Sequence, residues 1–258
     1  MNQKDLIAHL SQFVTDHKLH AMHRVLAERT RHITVVLEDV FQPCNASAVV
    51  RSAECFGVQE VHVIEGRNRF RVEGGVAMGA AKWLDIHRYT AMQECLDNLK
   101  KRGYLLVATV PPGQNTYALP DFPIDTKFAL MFGTELTGLG ESALAQADAL
   151  VTIPMVGFTE SFNISVSAAL CLYQVTARLK RSTVAWQLSE QEKSDILLTW
   201  LRRTIRASSA LEKRFISESS LPFALKVATA GSELEGSNVD VASSTSSQSS
   251  DSLQPERK

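Results

Sequence analysis

Ser161 and Asn163 stand in an irregular stretch, Ile153-Pro154-Met155-Val156-Gly157-Phe158-Thr159-Glu160-Ser161-Phe162-Asn163, that leads from a short apolar strand into a helix. Both are of the type that accepts the orphan N–H groups at a helix start. Pro154 closes the strand, because proline has no N–H for a sheet ladder. Gly157 permits a turn that other residues resist. The helix beyond carries Ser165, Ser167, Ala168 and Ala169, so another backbone can approach it closely. A polar loop at the C-terminal end of a strand is where open α/β sheets hold ligands. Two more polar turns follow apolar strands: Gly133-Thr134-Glu135-Leu136-Thr137-Gly138-Leu139-Gly140, and Gln42-Pro43-Cys44-Asn45 ahead of a helix bearing Arg51. Each has an ordinary structural reading by itself. Asn45, Ser161 and Asn163 can be caps, Glu135 a loop acid and Arg51 a surface residue.

Several other chemistries lack their residues. A dinucleotide site needs Gly-x-Gly-x-x-Gly after the first strand, where this chain reads Phe41-Gln42-Pro43-Cys44-Asn45. No phosphate-binding P-loop and no Gly-x-Ser-x-Gly nucleophile elbow is present. The four cysteines (Cys44, Cys55, Cys95, Cys171) show no paired metal spacing and read as reduced core thiols of a cytoplasmic protein. His17, His20 and His23 have no carboxylate or thiol partner, so they read as polar surface and no metal is expected.

The elements that position these groups follow from the apolar pattern. The chain has 258 residues, 45% of them hydrophobic, as in a globular domain with appendages. No apolar run is long enough to cross a bilayer, and Met1 to Leu10 lacks the order of a signal peptide. Helical spacing covers Lys4 to Asp16 and Ala21 to Thr30. Strands are predicted at Ile33–Leu37, Val58–Ile64, Trp83–Tyr89, Tyr104–Val110, Lys127–Phe132 and Ala149–Ile153. Between them lie helices over Ala48–Phe56, Ala91–Arg102 and Ser142–Ala147, and a Gly- and Arg-rich mobile loop from Gly66 to Met78. Such alternation gives an α/β protein with a parallel sheet. Helices from Asn163 to about Arg181 and from Leu188 to Arg206 follow.

Net charge is only −1, but it is unevenly spread. The first 32 residues hold five bases and five of the seven histidines, and Arg178 to Arg214 holds nine bases against four acids. Local positive patches attract phosphate backbones more than the total charge does. From Gly231 the chain is Ser-rich with five acids and two bases, a composition expected to stay disordered.

Three ordered blocks carry a resemblance. They are Asn45-Ala46-Ser47-Ala48-Val49-Val50-Arg51-Ser52-Ala53, then Leu130-Met131-Phe132-Gly133-Thr134-Glu135-Leu136-Thr137-Gly138-Leu139, then Ile153-Pro154-Met155 through Ser161-Phe162-Asn163-Ile164-Ser165-Val166-Ser167. They resemble, in order, the three motifs of the SpoU (TrmH) branch of the SPOUT RNA 2′-O-ribose methyltransferases. The flanking helices look like those of the tRNA guanosine-18 enzymes of that branch. The resemblance implies a SPOUT-type parallel sheet with a C-terminal deep trefoil knot and an active site completed across a homodimer. It implies S-adenosyl-L-methionine as cofactor and tRNA as partner, with no metal and no membrane. By position, Arg51 is the residue proposed to assist deprotonation of the ribose 2′-hydroxyl, with Asn45, Glu135, Ser161 and Asn163 as the other catalytic residues. Thr109, Gly133, Ile153 and Phe162 would contact the cofactor, mainly through backbone groups around the adenine. Phe162 and Thr134 depart from the commonest residues of the family, which bears on selectivity.

The resulting expectation is an N-terminal helical RNA-binding extension over residues 1–32 and a SPOUT methyltransferase domain over 33–182. A C-terminal helical extension over 183–230 and an acidic tail over 231–258 follow. The function expected is transfer of a methyl group to a 2′-hydroxyl in the tRNA D-loop. The alternatives are an rRNA methyltransferase of the same family and a non-catalytic RNA-binding relative. The 32 residues ahead of the first strand are few for the separate globular domain of many rRNA enzymes, which favours tRNA. A nicotinamide enzyme is the weakest reading, for want of phosphate-binding glycines in the first turn.

Overall fold

The strands are β1 (Ile33–Glu38), β2 (Glu60–Ile64), β3 (Asp85–Tyr89), β4 (Leu105–Thr109), β5 (Tyr117–Ala118), β6 (Phe128–Phe132) and β7 (Ala149–Thr152), most of them short apolar runs, while the edge strand β3 carries Asp85, His87 and Arg88. The computed structural model describes residues 2–220. In it every strand pairing is parallel and the sheet order is β3-β2-β1-β6-β4-β7-β5. The chain builds outward from β1 to β3, then returns to the other side with β4. The order therefore reverses at the β1–β6 seam, where open α/β sheets place their ligands.

The helices are α1 (Gln3–Ser11), α2 (Asp16–Ala27), α3 (Pro43–Cys55), α4 (Gly74–Ala77), α5 (Met92–Lys101), α6 (Glu141–Ala145), α7 (Ile164–Arg181), α8 (Glu190–Thr204) and α9 (Ser208–Ser220). Two layers cover the sheet. Ile33, Val35 and Leu37 of β1 and Phe128, Leu130 and Phe132 of β6 face α3 and α7. Val36, Ala129, Met131, Leu106 and Ala108 face α5 and α6. With both faces covered, the strands need no polar alternation, which is why they read as continuous apolar runs. On the outside, α1 and α2 pack on α8. Asn2 with Asp5 and Ser189 with Glu192 form capping boxes that start α1 and α8.

The chain divides into two compact units, Met1–Glu212 and Lys213–Lys258. Every site discussed below lies in the first. The tail expected over 231–258 lies outside the described residues.

Several sequence expectations need correction. Helix α3 starts at Pro43, not Ala48, because proline fits the first helical position, where its missing N–H has no role. Asn45 is consequently inside the helix and not its cap. Trp83 ends a short 3-10 turn (Ala80–Trp83) and does not open β3. His17, His20 and His23 lie within α2 at helical spacing, all exposed. Only Cys95 and Cys171 are buried core thiols, while Cys44 and Cys55 are exposed. The Gly66–Met78 loop is anchored at several points. The Asp39 carboxylate accepts from the Arg67 and Asn68 amides at 2.8 and 2.7 Å, Glu65 from the Phe70 amide at 2.9 Å, and Ser47 Oγ from the Glu73 amide at 2.7 Å.

Candidate active site

At the β1–β6 seam the loop after β6 reaches the turn before α3. Glu135 Oε1 accepts from Asn45 Nδ2 at 2.8 Å, and its two oxygens accept from the Phe41 and Gln42 amides at 3.3 and 3.4 Å. Asn45 Oδ1 in turn accepts from Asn163 Nδ2 at 3.2 Å. Asn163 Oδ1 caps α7, accepting from the Ser165 amide at 2.8 Å and from its hydroxyl at 2.6 Å. Asn45 and two residues 90 and 118 positions further along thus form one hydrogen-bonded chain joining the starts of α3 and α7. Burial works against the ionised Glu135 carboxyl, but the bonds from Asn45, Phe41 and Gln42 outweigh it and hold it below the usual carboxylate range.

Beside this chain lies an open cavity of about 310 Å³ at the C-terminal ends of β4, β6 and β7. Thr109, Gly133, Ile153 and Phe162 all line it, with Glu135 and Ser161. Its walls include the acids Glu135 and Glu160 and no lysine, arginine or histidine. Thr109 Oγ1 is turned into the sheet and donates to the Met131 carbonyl at 2.7 Å, so the residue offers mainly backbone to the cavity. The loop after β6 closes on itself through Thr134 N–H to Gly138 O at 2.9 Å and Gly138 N–H to Thr134 O at 3.1 Å. A Cβ on Gly133 would fall 2.0 Å from the Gly138 carbonyl carbon. Gly133→Ala is therefore expected to open this loop and to destabilise the fold by about 1–3 kcal/mol, read by denaturant unfolding. A variant as stable as the parent would show that the loop relaxes freely.

Arg51 stands apart from this network. It is exposed on α3, six residues beyond Asn45, an axial rise of about 9 Å. Its Nη1 makes one long bond, 3.4 Å, to the Val76 carbonyl of α4, which leaves most of the guanidinium donors available. The structure thus joins Asn45, Glu135 and Asn163 directly and places Ser161 with the four expected cofactor residues. Arg51 lies on the same helix as Asn45 but outside both groups.

The positive edges are less free than their charge count implies. Arg29 is fully buried and pairs with Glu54 at 2.6 Å. Arg31 pairs with Glu60, Asp85 and Glu192. Arg178 donates to the Leu119 and Phe122 carbonyls, and Arg202 is held by Glu212. Arg24, Arg181 and Arg206 of these edges remain exposed, as do Arg67, Arg69 and Arg71 of the loop after β2.

Two features were missed in the sequence. Glu38 Oε2 accepts from the Gly140 amide at 2.8 Å and pins the far end of the β6 loop. Phe162, just before the cap of α7, and Val166, Leu170 and Tyr173 along it leave an exposed apolar stripe. The spacing of four and three from Val166 to Leu170 to Tyr173 is a helical signal.

Residues 32–173 match the SpoU rRNA methylase family. A protein of Borreliella burgdorferi named tRNA (guanosine(18)-2'-O)-methyltransferase is 40% identical over 203 residues, covering 79% of this chain and 93% of the relative. The crystal structure of the Aquifex aeolicus TrmH/SpoU tRNA modifying enzyme superposes with a TM-score of 0.66 at 25% identity, covering 74% of this chain and 98% of that one. The SpoU methyltransferase AviRb of Streptomyces viridochromogenes, solved with AdoMet, shares the fold with a TM-score of 0.54 at 23% identity over 61% of this chain and 64% of its own.

Proposed function

The chain belongs to the SpoU rRNA methylase family, and from that premise we propose that it is a tRNA (guanosine-18-2′-O)-methyltransferase that uses S-adenosylmethionine. The observation that carries the choice of tRNA is the 40% identity to the Borreliella burgdorferi enzyme over nearly its whole length. The cavity at the strand ends fits the cofactor. A sulfonium is a cation, and the walls present two carboxylates and no base. Gly133, which has no room for a Cβ, brings the backbone of its loop to the cavity wall for an adenine. When bound, the cofactor supplies an electrophilic methyl group.

The protein's own residues orient and polarise the acceptor. The Glu135–Asn45–Asn163 chain fixes the starts of α3 and α7, so that the cavity wall does not shift as RNA binds. Arg51 offers fixed positive charge to the oxygen that becomes alkoxide-like, which preorganised donors stabilise well. A guanidinium only donates, so the hydroxyl proton leaves to another acceptor, for which a substrate phosphate held by Arg51 is suited. Alignment of the hydroxyl with the methyl group supplies much of the remaining acceleration. Exposed Arg24, Arg67, Arg69 and Arg71 are the candidate phosphate contacts.

The same reading includes a homodimer and a trefoil knot. The exposed α7 stripe supports the dimer, since a contiguous apolar patch beside a site marks an interaction surface. The β4–β6 connection clasps α7 through Arg178, whose Nη1 and Nη2 donate to the Leu119 and Phe122 carbonyls at 3.2 and 2.7 Å. That clasp supports the threading of the later helix under the earlier loop. No helix among the described residues is long and apolar enough to cross a membrane, and we place the enzyme with its tRNA in the cytoplasm. Incubation with tritiated-methyl cofactor and an unmodified tRNA transcript, followed by nuclease digestion, should put label in a single 2′-O-methylguanosine of the D-loop. Label confined to rRNA fragments, or no transfer to any RNA, would overturn the assignment.

A further inference from the structure

A second cleft, of about 200 Å³, opens between α2, α3, α8 and the 80–83 turn. It lies toward the N-terminal ends of the strands, since Glu54 is in the last turn of α3 and Trp83 precedes β3. The methyl-transfer cavity lies at the opposite ends. Lys18, Met22 and Val25 share one face of α2 and form a wall. Trp200 and Trp83 form the aromatic side, ring centroids 5.3 Å apart and edge to face. Trp83 is held by its own carbonyl, which accepts from Trp200 Nε1 at 3.0 Å and from Gln59 Nε2 at 3.2 Å. Trp83 stays partly exposed. Over its ring sit two ammonium groups, Lys18 Nζ at 4.7 Å and Lys82 Nζ at 5.0 Å from the centroid. Glu54 also lines the cleft, with one oxygen taken by Arg29 Nη2 at 2.6 Å.

We infer that this cleft takes an unpaired nucleobase of the RNA, stacked on Trp83, with the flanking phosphates on Lys18 and Lys82. This rests on the tRNA methyltransferase reading and adds a contact distant from the chemistry. The combination of groups selects the ligand class. An aromatic face beside two cations suits a ligand that is both flat and anionic, which a nucleotide is. An apolar peptide would leave both lysines without a partner. A base stacks on an exposed ring more strongly than a lysine rests there, so a base displaces the ammonium groups toward its own phosphates. The second oxygen of Glu54 is then an acceptor for an N–H on the base edge.

The test uses the full chain, saturating S-adenosylmethionine and an unmodified tRNA transcript. Trp83→Ala should raise KM for tRNA by ~10-fold with kcat and cofactor affinity unchanged, and Trp83→Phe should restore most of the loss. The Lys18→Ala/Lys82→Ala double variant should flatten the slope of log Kd against log salt by about one to two. Should Trp83→Ala fail to fold, quenching of tryptophan emission by tRNA in a Trp186→Phe background replaces it, with quenching expected. An unchanged KM, an unchanged salt slope or absence of quenching overturns the inference. So does a Trp83→Ala variant that loses cofactor affinity and melting temperature together while the lysine variant keeps the parent slope. If the parent protein transfers no methyl group to tRNA, the functional reading fails first, and the two failures are distinguishable.

Discussion

Arg51→Ala is expected to lower kcat for methyl transfer by roughly 10²–10³-fold, the effect of deleting one preorganised donor at a developing oxyanion. Cofactor affinity should not change, because Arg51 is outside the cavity that Thr109, Gly133, Ile153 and Phe162 line. Stability should change little, since the residue is exposed and its bond to the Val76 carbonyl is long at 3.4 Å. Arg51→Lys separates charge from shape. It keeps the cation but loses the planar fork that could hold a phosphate and a ribose oxygen together. Partial activity in the lysine variant and almost none in the alanine variant would fit charge stabilisation by a positioned guanidinium. Full turnover by a folded Arg51→Ala variant would remove Arg51 from the mechanism. Single-turnover methylation with calorimetric measurement of cofactor binding distinguishes these results.

The three blocks around the seam were legible because their signals are local. Each couples an apolar strand to a glycine, proline or capping residue within a few positions, and Asn163 does cap α7 by the bond its side-chain type suggests. The direct bonds among Asn45, Glu135 and Asn163 were not legible, because their partners are 90 and 118 positions apart. The start of α3 was misread for a related reason. Pro43 is equally a turn residue and a first-turn helix residue, and only the contacts of Asn45 show which applies.

Charge was the least legible property. A count of bases cannot tell a phosphate-facing arginine from one that has become part of the interior. Arg29 and Arg31 raise the positive count of the N-terminal edge, yet both are held in ion pairs within the fold. The strand β5, of two residues, is too short for any periodicity, and its pairing with β7 appears only in three dimensions. The sheet itself was readable because covering both faces leaves continuous apolar strands. The pattern fails at β3, which carries Asp85, His87 and Arg88, and at Glu60 and His62 of β2, where a buried polar cluster lies.

Glu60 is almost fully buried, and it pairs with Arg31 Nε at 2.8 Å and Arg102 Nη2 at 2.5 Å, with His62 Nε2 3.7 Å away. Burial opposes its charge, but His62, Arg102 and Arg31 together bring its carboxyl down to about 2. Relative to an ordinary value of 4.5, that depression corresponds to about 3 kcal/mol of stability. The sign follows from linkage. The contribution is complete above pH 4.5 and disappears as pH falls toward 2, because the unfolded carboxyl takes up its proton first. His62 adds an earlier limb. Burial outweighs the pull of Glu60 and holds the ring below its ordinary 6.5, so stability begins to fall once pH drops beneath that value. Glu60→Gln should therefore destabilise by about 3 kcal/mol, the penalty for breaking a buried pair, and lower the melting temperature by ~10 °C. Arg31 keeps Asp85 and Glu192, whereas Arg102 loses the one acid it pairs with among the described residues. Thermal melts of parent and variant between pH 7 and pH 2.5 should differ most at neutral pH and converge in acid, leaving the variant with only the upper, His62 limb. Parallel curves with equal melting temperatures would mean that the desolvation of Glu60 cancels its pairing, and the cluster would then add no stability to the sheet edge that carries β2 and β3.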